Sequence, residues 1–133
     1  MNIWEKQEKE WQVKQQLEKI SERQRECDDL EKELITMEED MYWQNRQIKE
    51  VNDDLFSAYP QDAELQSLLV EKEEMLRQKM SMEKLFMEDC RDSIKDQRAK
   101  SEAMKEICET ELLLLHKEEG ETPNEDNLYT DTN

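Results

Sequence analysis

The sequence holds 133 residues, enough for one domain, and 41% of them are charged, with one glycine and two prolines. Turns depend on those last two residue types, so few turns are expected and the composition is not that of a compact globule. The net charge of −17, with no basic segment, disfavours nucleic acid and anionic membrane surfaces as direct partners and favours basic or neutral proteins.

The N-terminal residues Met1-Asn2-Ile3-Trp4-Glu5-Lys6 hold no apolar signal stretch, and no apolar run is long enough for a transmembrane helix. From there an unbroken heptad seam runs through Val13, Ile20, Cys27, Leu34, Met41, Ile48 and Leu55. Between its layers lie mostly Glu, Lys, Gln, Asp and Arg. This pattern predicts one long helix, about residues 3–56, that must pack against another helix. Full disorder would explain the charge but not the sustained heptads.

Ser57-Ala58-Tyr59-Pro60 breaks the pattern, and a turn is expected over 57–60. Proline suits the first turn of a new helix, where Asp62 and Glu64 meet the positive end of the helix dipole. Helix two is expected over about 60–118. Its seam is Leu69, Leu76, Met80, Met87, Cys90, Ile94, Met104, Cys108 and Leu115, interrupted by Glu83, Gln97 and Ser101. The arms are nearly equal, as an antiparallel hairpin requires. A register centred on Pro60 pairs Val13 with Cys108, Cys27 with Ile94, Leu34 with Met87 and Met41 with Met80. A complementary set pairs Leu30 with Cys90, Gln44 with Leu76 and Val51 with Leu69. The layers of Ile20 with Ser101, Met37 with Glu83 and Ile48 with Glu73 are poor. The fold class expected is therefore all-α: a long antiparallel two-helix coiled-coil hairpin, with Gly120 stopping helix two and residues 119–133 forming a disordered acidic tail.

Several apolar residues lie off the seam. Trp4 and Trp11 are seven apart and share a face. Ile35, Tyr42, Trp43, Phe56 and Tyr59 form a second stripe, and helix two adds Leu68, Met75, Met82 and Phe86. Two apolar faces per helix exceed what a hairpin can bury, so Trp4, Trp11, Ile35, Tyr42, Trp43, Phe56, Tyr59 and Phe86 are candidates for partner binding. Against this stand two plainer readings. The helix phase could shift so that the tryptophans join the core, or long Lys and Glu stems could cover the stripes. The run Leu112-Leu113-Leu114-Leu115 either docks on a partner or caps the N-terminal tryptophans.

Nothing in the sequence supports catalysis. The three cysteines, Cys27, Cys90 and Cys108, fall on core positions and read as reduced apolar packers of a cytoplasmic protein. With one histidine, His116, and widely separated cysteines, no zinc spacing exists. The single glycine rules out phosphate loops and nucleophile elbows. No catalytic residue, metal or cofactor is expected.

The layout of a small acidic hairpin, with Asp40-Met41-Tyr42-Trp43 before the turn and Pro60-Gln61-Asp62-Ala63-Glu64-Leu65 entering helix two, resembles a known group. These are the small α-helical partner proteins encoded beside LXG-domain toxins of the type VII (Esx) secretion system. The likeness covers about residues 1–118. It implies a targeting chaperone that binds the N-terminal helices of the toxin, with or without a second small helical protein, and either stays in the cytoplasm or leaves with its cargo. The chain departs from Esx proteins in two respects. Trp4, Trp11 and Trp43 are followed two residues on by Lys6, Val13 and Asn45, so a WxG turn is missing. Tyr129 has Asn133 four residues on, so the Tyr-x-x-x-Asp/Glu export pattern is not met, and a partner would supply that signal. A coiled-coil stalk of a flagellar or type III-like export apparatus, and a self-associating scaffold that forms homodimers when alone, remain as alternatives.

Overall fold

In the computed structural model the backbone of residues 1–131 and the side chains through Lys117 are described. Two helices account for nearly all of it: α1, Ile3–Ala58, and α2, Ala63–Asp131. The architecture is an all-α helical hairpin.

The helix ends follow from local chemistry. At the start of α1, Asn2 Oδ1 accepts from the Glu5 amide at 2.8 Å, and the Glu5 carboxylate accepts from the Asn2 amide at 3.3 Å. This reciprocal capping box satisfies donors that the first turn leaves open. Helix one runs two residues further than expected. Pro60 does not begin α2 but stands in the turn, because Asp62 is the cap: its Oδ1 accepts from the Leu65 amide at 3.0 Å. One turn into α2, Gln66 Nε2 reaches back to the carbonyls of Phe56 at 3.0 Å and Tyr59 at 2.7 Å. The Phe56 carbonyl is among the acceptors that the end of α1 leaves unpaired, and the Tyr59 carbonyl in the turn also accepts from the Asp62 amide at 3.3 Å.

Helix two continues to Asp131, through Pro123 and past the helix stop expected at Gly120. Extending an existing helix requires no new nucleus, so isolated unfavourable residues need not end it. Residues 132 and 133 lie outside the described residues.

The chain divides into two units. Unit one pairs Met1–Cys27 with the stretch from Asp96 onward; unit two is Asp28–Lys95 and contains the turn. In unit one the core is Val13, Cys27, Cys108 and Leu115, with Ser101 buried among them. Cross-helix bonds join Glu10 to His116, Gln16 to Cys108 and Gln24 to Glu102, an antiparallel order. In unit two the core is Leu34, Leu69, Leu76 and Met87, with Asn45 buried. Asn45 bonds Glu83 and Lys79, and Glu38 pairs with Arg91.

These bonds shift the contacts from the expected register. Cys108 meets Gln16 rather than only Val13, and Lys79 meets Asn45, each further along α1 than the pairing about Pro60 allows. Helical side chains lean toward their own N-terminus, so contacts in an antiparallel pair fall between residues further along both strands.

The expected core is corrected at four positions: Ile48, Leu55, Met80 and Met104 are exposed, while Ile20, Met41 and Ile94 are half-buried. A two-helix seam covers a narrow strip, and a long side chain is shielded only where its opposite layer fills the space. Ile48 was already matched to a charged layer, and Leu55 lies within a turn of the hairpin end.

The complementary row on α1 is also corrected. Leu30, Met37, Gln44 and Val51 are exposed. The buried or half-buried row is instead Leu17, Gln24, Asn45 and Asn52, four residues after Val13, Ile20, Met41 and Ile48, whereas Glu31 and Glu38, four after Cys27 and Leu34, are exposed. The chain turns a largely polar row inward and leaves an apolar row outside.

Candidate partner-binding surface

The polar row is tolerated where it finds partners. Asn45 Nδ2 donates to Glu83 Oε1 at 2.9 Å, and Lys79 Nζ donates to Asn45 Oδ1 at 2.7 Å. Elsewhere it costs stability: Asn52 Nδ2 and Ser101 Oγ are buried without a hydrogen-bond partner among the described residues. Each such atom costs about 1–3 kcal/mol. In unit one, burial, reinforced by the nearby Glu111 and Glu109 carboxylates, pushes the Cys108 thiol up. That favours the neutral form of Cys108, which donates weakly to Gln16 Oε1 at 3.6 Å. Cys27, Cys90 and Cys108 are all free thiols.

All eight residues expected to bind a partner are exposed: Trp4, Trp11, Ile35, Tyr42, Trp43, Phe56, Tyr59 and Phe86. In unit one, Trp4 is 77% and Trp11 63% exposed, so neither joins the core. The leucine run does not cover them. Leu115 turns inward and Leu112 is half-buried, while Leu113 and Leu114 are open to solvent.

In unit two, Tyr42 and Trp43 meet edge to face with ring centroids 5.5 Å apart. The Arg46 guanidinium lies 5.5 Å from the Trp43 ring and bonds Glu50 at 3.1 Å. This arrangement holds one face of Trp43 against a cation while the side chain stays accessible.

Of the grooves along the seam of unit two, two stand out by their apolar lining. One, of about 280 Å³, is lined by Leu30, Met37, Phe86, Cys90 and Ile94. It is apolar because the row that sequence reasoning placed in the core lies here instead. The other, of about 490 Å³, lies on the opposite flank, with Met41, Tyr42, Met80 and Met87 against Arg77, Lys84 and Arg91. The cations were missed because charge was counted along segments. Counted along a face, Arg77, Lys84 and Arg91 recur every seven residues and form one row on α2.

The described residues hold no cluster of His, Cys, Asp or Glu suited to a metal ion, and none of their helices is long and apolar enough to cross a membrane. No protein-family model matches this sequence, and no curated protein or solved structure is significantly similar to it.

Proposed function

We propose that this chain is a non-enzymatic helical adaptor whose exposed flanks bury the apolar face of a helical partner. The observation that supports this most is the excess of open apolar surface. Trp4, Trp11, Tyr42, Trp43, Phe56, Tyr59 and Phe86 are all exposed, together with the Leu30, Met37 and Val51 row. Large apolar patches of this kind mark association surfaces. A hairpin completes itself by recruiting further helices into a bundle, and aromatic side chains dominate the energetics of such contacts.

The resemblance to the small partners of LXG toxins makes the N-terminal helical domain of such a toxin the proposed cargo. The chain would keep that domain soluble in the cytoplasm and form with it the composite rod presented for type VII export. Association would also stabilise the hairpin itself, whose seam contains Asn45, Asn52 and Ser101.

The test is direct. The purified chain is mixed with the isolated helical N-terminal domain of a toxin encoded beside it. Co-elution as one species, and a melting temperature above that of either component, is the expected result. Separate elution, with each component melting as it does alone, would overturn the reading.

A further inference from the structure

The larger groove of unit two is not merely apolar; its chemistry selects among helices. Its lining sets Met41, Tyr42, Met80 and Met87 beside the row Arg77, Lys84 and Arg91; Glu38, which pairs with Arg91, and Glu83, which bonds Asn45, also line it. Seven residues on a helix advance about 10.5 Å, so the three cations stand at the repeat of a heptad. The row stands out in a chain with 36 acidic and 19 basic residues.

The cations are available. Arg77 pairs with Glu74 on its own helix at 3.0 Å, and Arg91 pairs with Glu38; all four side chains are at least half exposed. Exposed pairs of this kind hold weakly and exchange readily for other carboxylates. Lys84 makes no ion pair among the described residues. Tyr42 and Met80, which border the row, are themselves exposed.

We propose that this groove receives one amphipathic helix of the partner, with its apolar face on Tyr42 and the methionines. A row of Asp or Glu at heptad spacing along one edge of that helix meets Arg77, Lys84 and Arg91. The proposal rests on the helical-adaptor reading and adds to it the face used and the charge pattern recognised. The groove is bounded by residues of both helices, an arrangement that a third helix fills. The methionines adapt to its side chains, and the cation row fixes its direction and register. A polyanion such as RNA would also meet the cations, but the net charge of −17 repels it. A second copy of this chain meets the same repulsion. The fitting partner is neutral or basic overall and carries its acids along one edge.

The probe is a labelled synthetic amphipathic peptide of four heptads. One version carries Glu along one edge of its apolar face; the other carries Lys there and is otherwise identical. Binding to the full chain is followed by fluorescence anisotropy. The Glu peptide is expected to bind more tightly than the Lys peptide. Lys84→Glu is expected to weaken the Glu peptide about tenfold, equivalent to about 1.4 kcal/mol, and to strengthen the Lys peptide. Lys32→Glu, the same charge change at an exposed lysine outside the groove, is expected to change neither. Equal binding of both peptides, or no effect of Lys84→Glu in a variant of unchanged helicity, overturns the proposal. So does a dimer of the chain alone that Lys84→Glu dissociates, because a second copy would then occupy the groove. Two outcomes separate this proposal from the toxin reading. A toxin domain that binds Lys84→Glu as well as the parent removes the groove assignment and leaves the adaptor. A toxin domain that fails to bind while the Glu peptide behaves as expected leaves the groove and removes the toxin.

Discussion

Replacing Asn45 with leucine tests whether the polar layer of unit two stabilises the hairpin or only selects its arrangement. Asn45 is 7% exposed and joins Glu83 at 2.9 Å and Lys79 at 2.7 Å. Burying a leucine there contributes about 1.5–3 kcal/mol relative to leaving it in water. Hydrogen bonds to charged groups contribute about 1.5–3 kcal/mol each when well buried. Here they are worth less. The Lys79 side chain is 45% exposed, and Lys79 and Glu83 already stand 3.6 Å apart, so each retains a partner and water. Losing the asparagine should then cost about 1 kcal/mol, and the net change is a stabilisation of about 1 kcal/mol. Selectivity should fall, because an apolar layer no longer requires Glu83 and Lys79 opposite it. Urea unfolding followed by circular dichroism reads the first effect, and sedimentation equilibrium the second. The expected result for Asn45→Leu is a higher urea midpoint together with new dimers at high salt, where the repulsion between two copies of charge −17 is screened. A variant less stable than the parent by more than about 1 kcal/mol would refute the reasoning, since the polar layer would then be a net source of stability.

Other expectations follow from the same structure. Ser101→Ala removes a buried, unpartnered hydroxyl and should stabilise the hairpin by about 1 kcal/mol in the same urea assay. Asp62→Ala removes the cap of α2 and should cost about 1 kcal/mol, which a thermal melt will show. Hydrogen bonds from Lys14 at 2.9 Å and then His116 at 3.3 Å hold the Glu10 carboxyl below its ordinary value of 4.5. A lowered folded-state value contributes stability above the unfolded one and loses it as the pH falls through the folded one. Glu10→Gln should therefore be less stable than the parent at neutral pH, and the two should converge in melts below pH 4.5. Because −17 charges repel one another, added salt should raise the melting temperature of the parent.

The parts of this fold that sequence could reveal are those where apolarity and burial coincide. Val13, Cys27 and Leu34 on α1, and on α2 Leu69 with Leu76 and Met87 with Cys108 and Leu115, are spaced by multiples of seven residues within each set and are buried. Pro60 marked the turn, but the cap two residues later, Asp62, decided where α2 begins. The second row of α1 was not legible by the same signal. Both the third and the fourth residue after a seam position can complete a heptad, and the apolar choice, Leu30, Met37 and Val51, was the natural one. Burial went to Leu17, Gln24, Asn45 and Asn52, and pairing with α2 explains Gln24, which bonds Glu102, and Asn45, which bonds Glu83 and Lys79, but not Asn52. The exposed aromatics were legible because a seven-residue interval places Trp4 and Trp11 off the seam. The cation row of α2 was hidden by the acidity of its surroundings, and the recurrence of Arg77, Lys84 and Arg91 would have disclosed it.

The central claim is that the seam holds the hairpin while the exposed aromatics hold a partner. It is tested most directly by measuring helicity and binding to the proposed partner, a toxin N-terminal domain, on the same three variants: Trp11→Ala, Trp43→Ala and Leu34→Asp. Trp11 and Trp43 are exposed, whereas Leu34 is buried. Truncating an aromatic anchor typically costs about 2–4 kcal/mol of binding when it is a hot spot. Both tryptophan variants should keep the helicity of the parent and bind at least about tenfold more weakly, whereas Leu34→Asp should lose helicity first and binding as a consequence. Tryptophan variants that bind as the parent does, or that unfold as Leu34→Asp does, would contradict it.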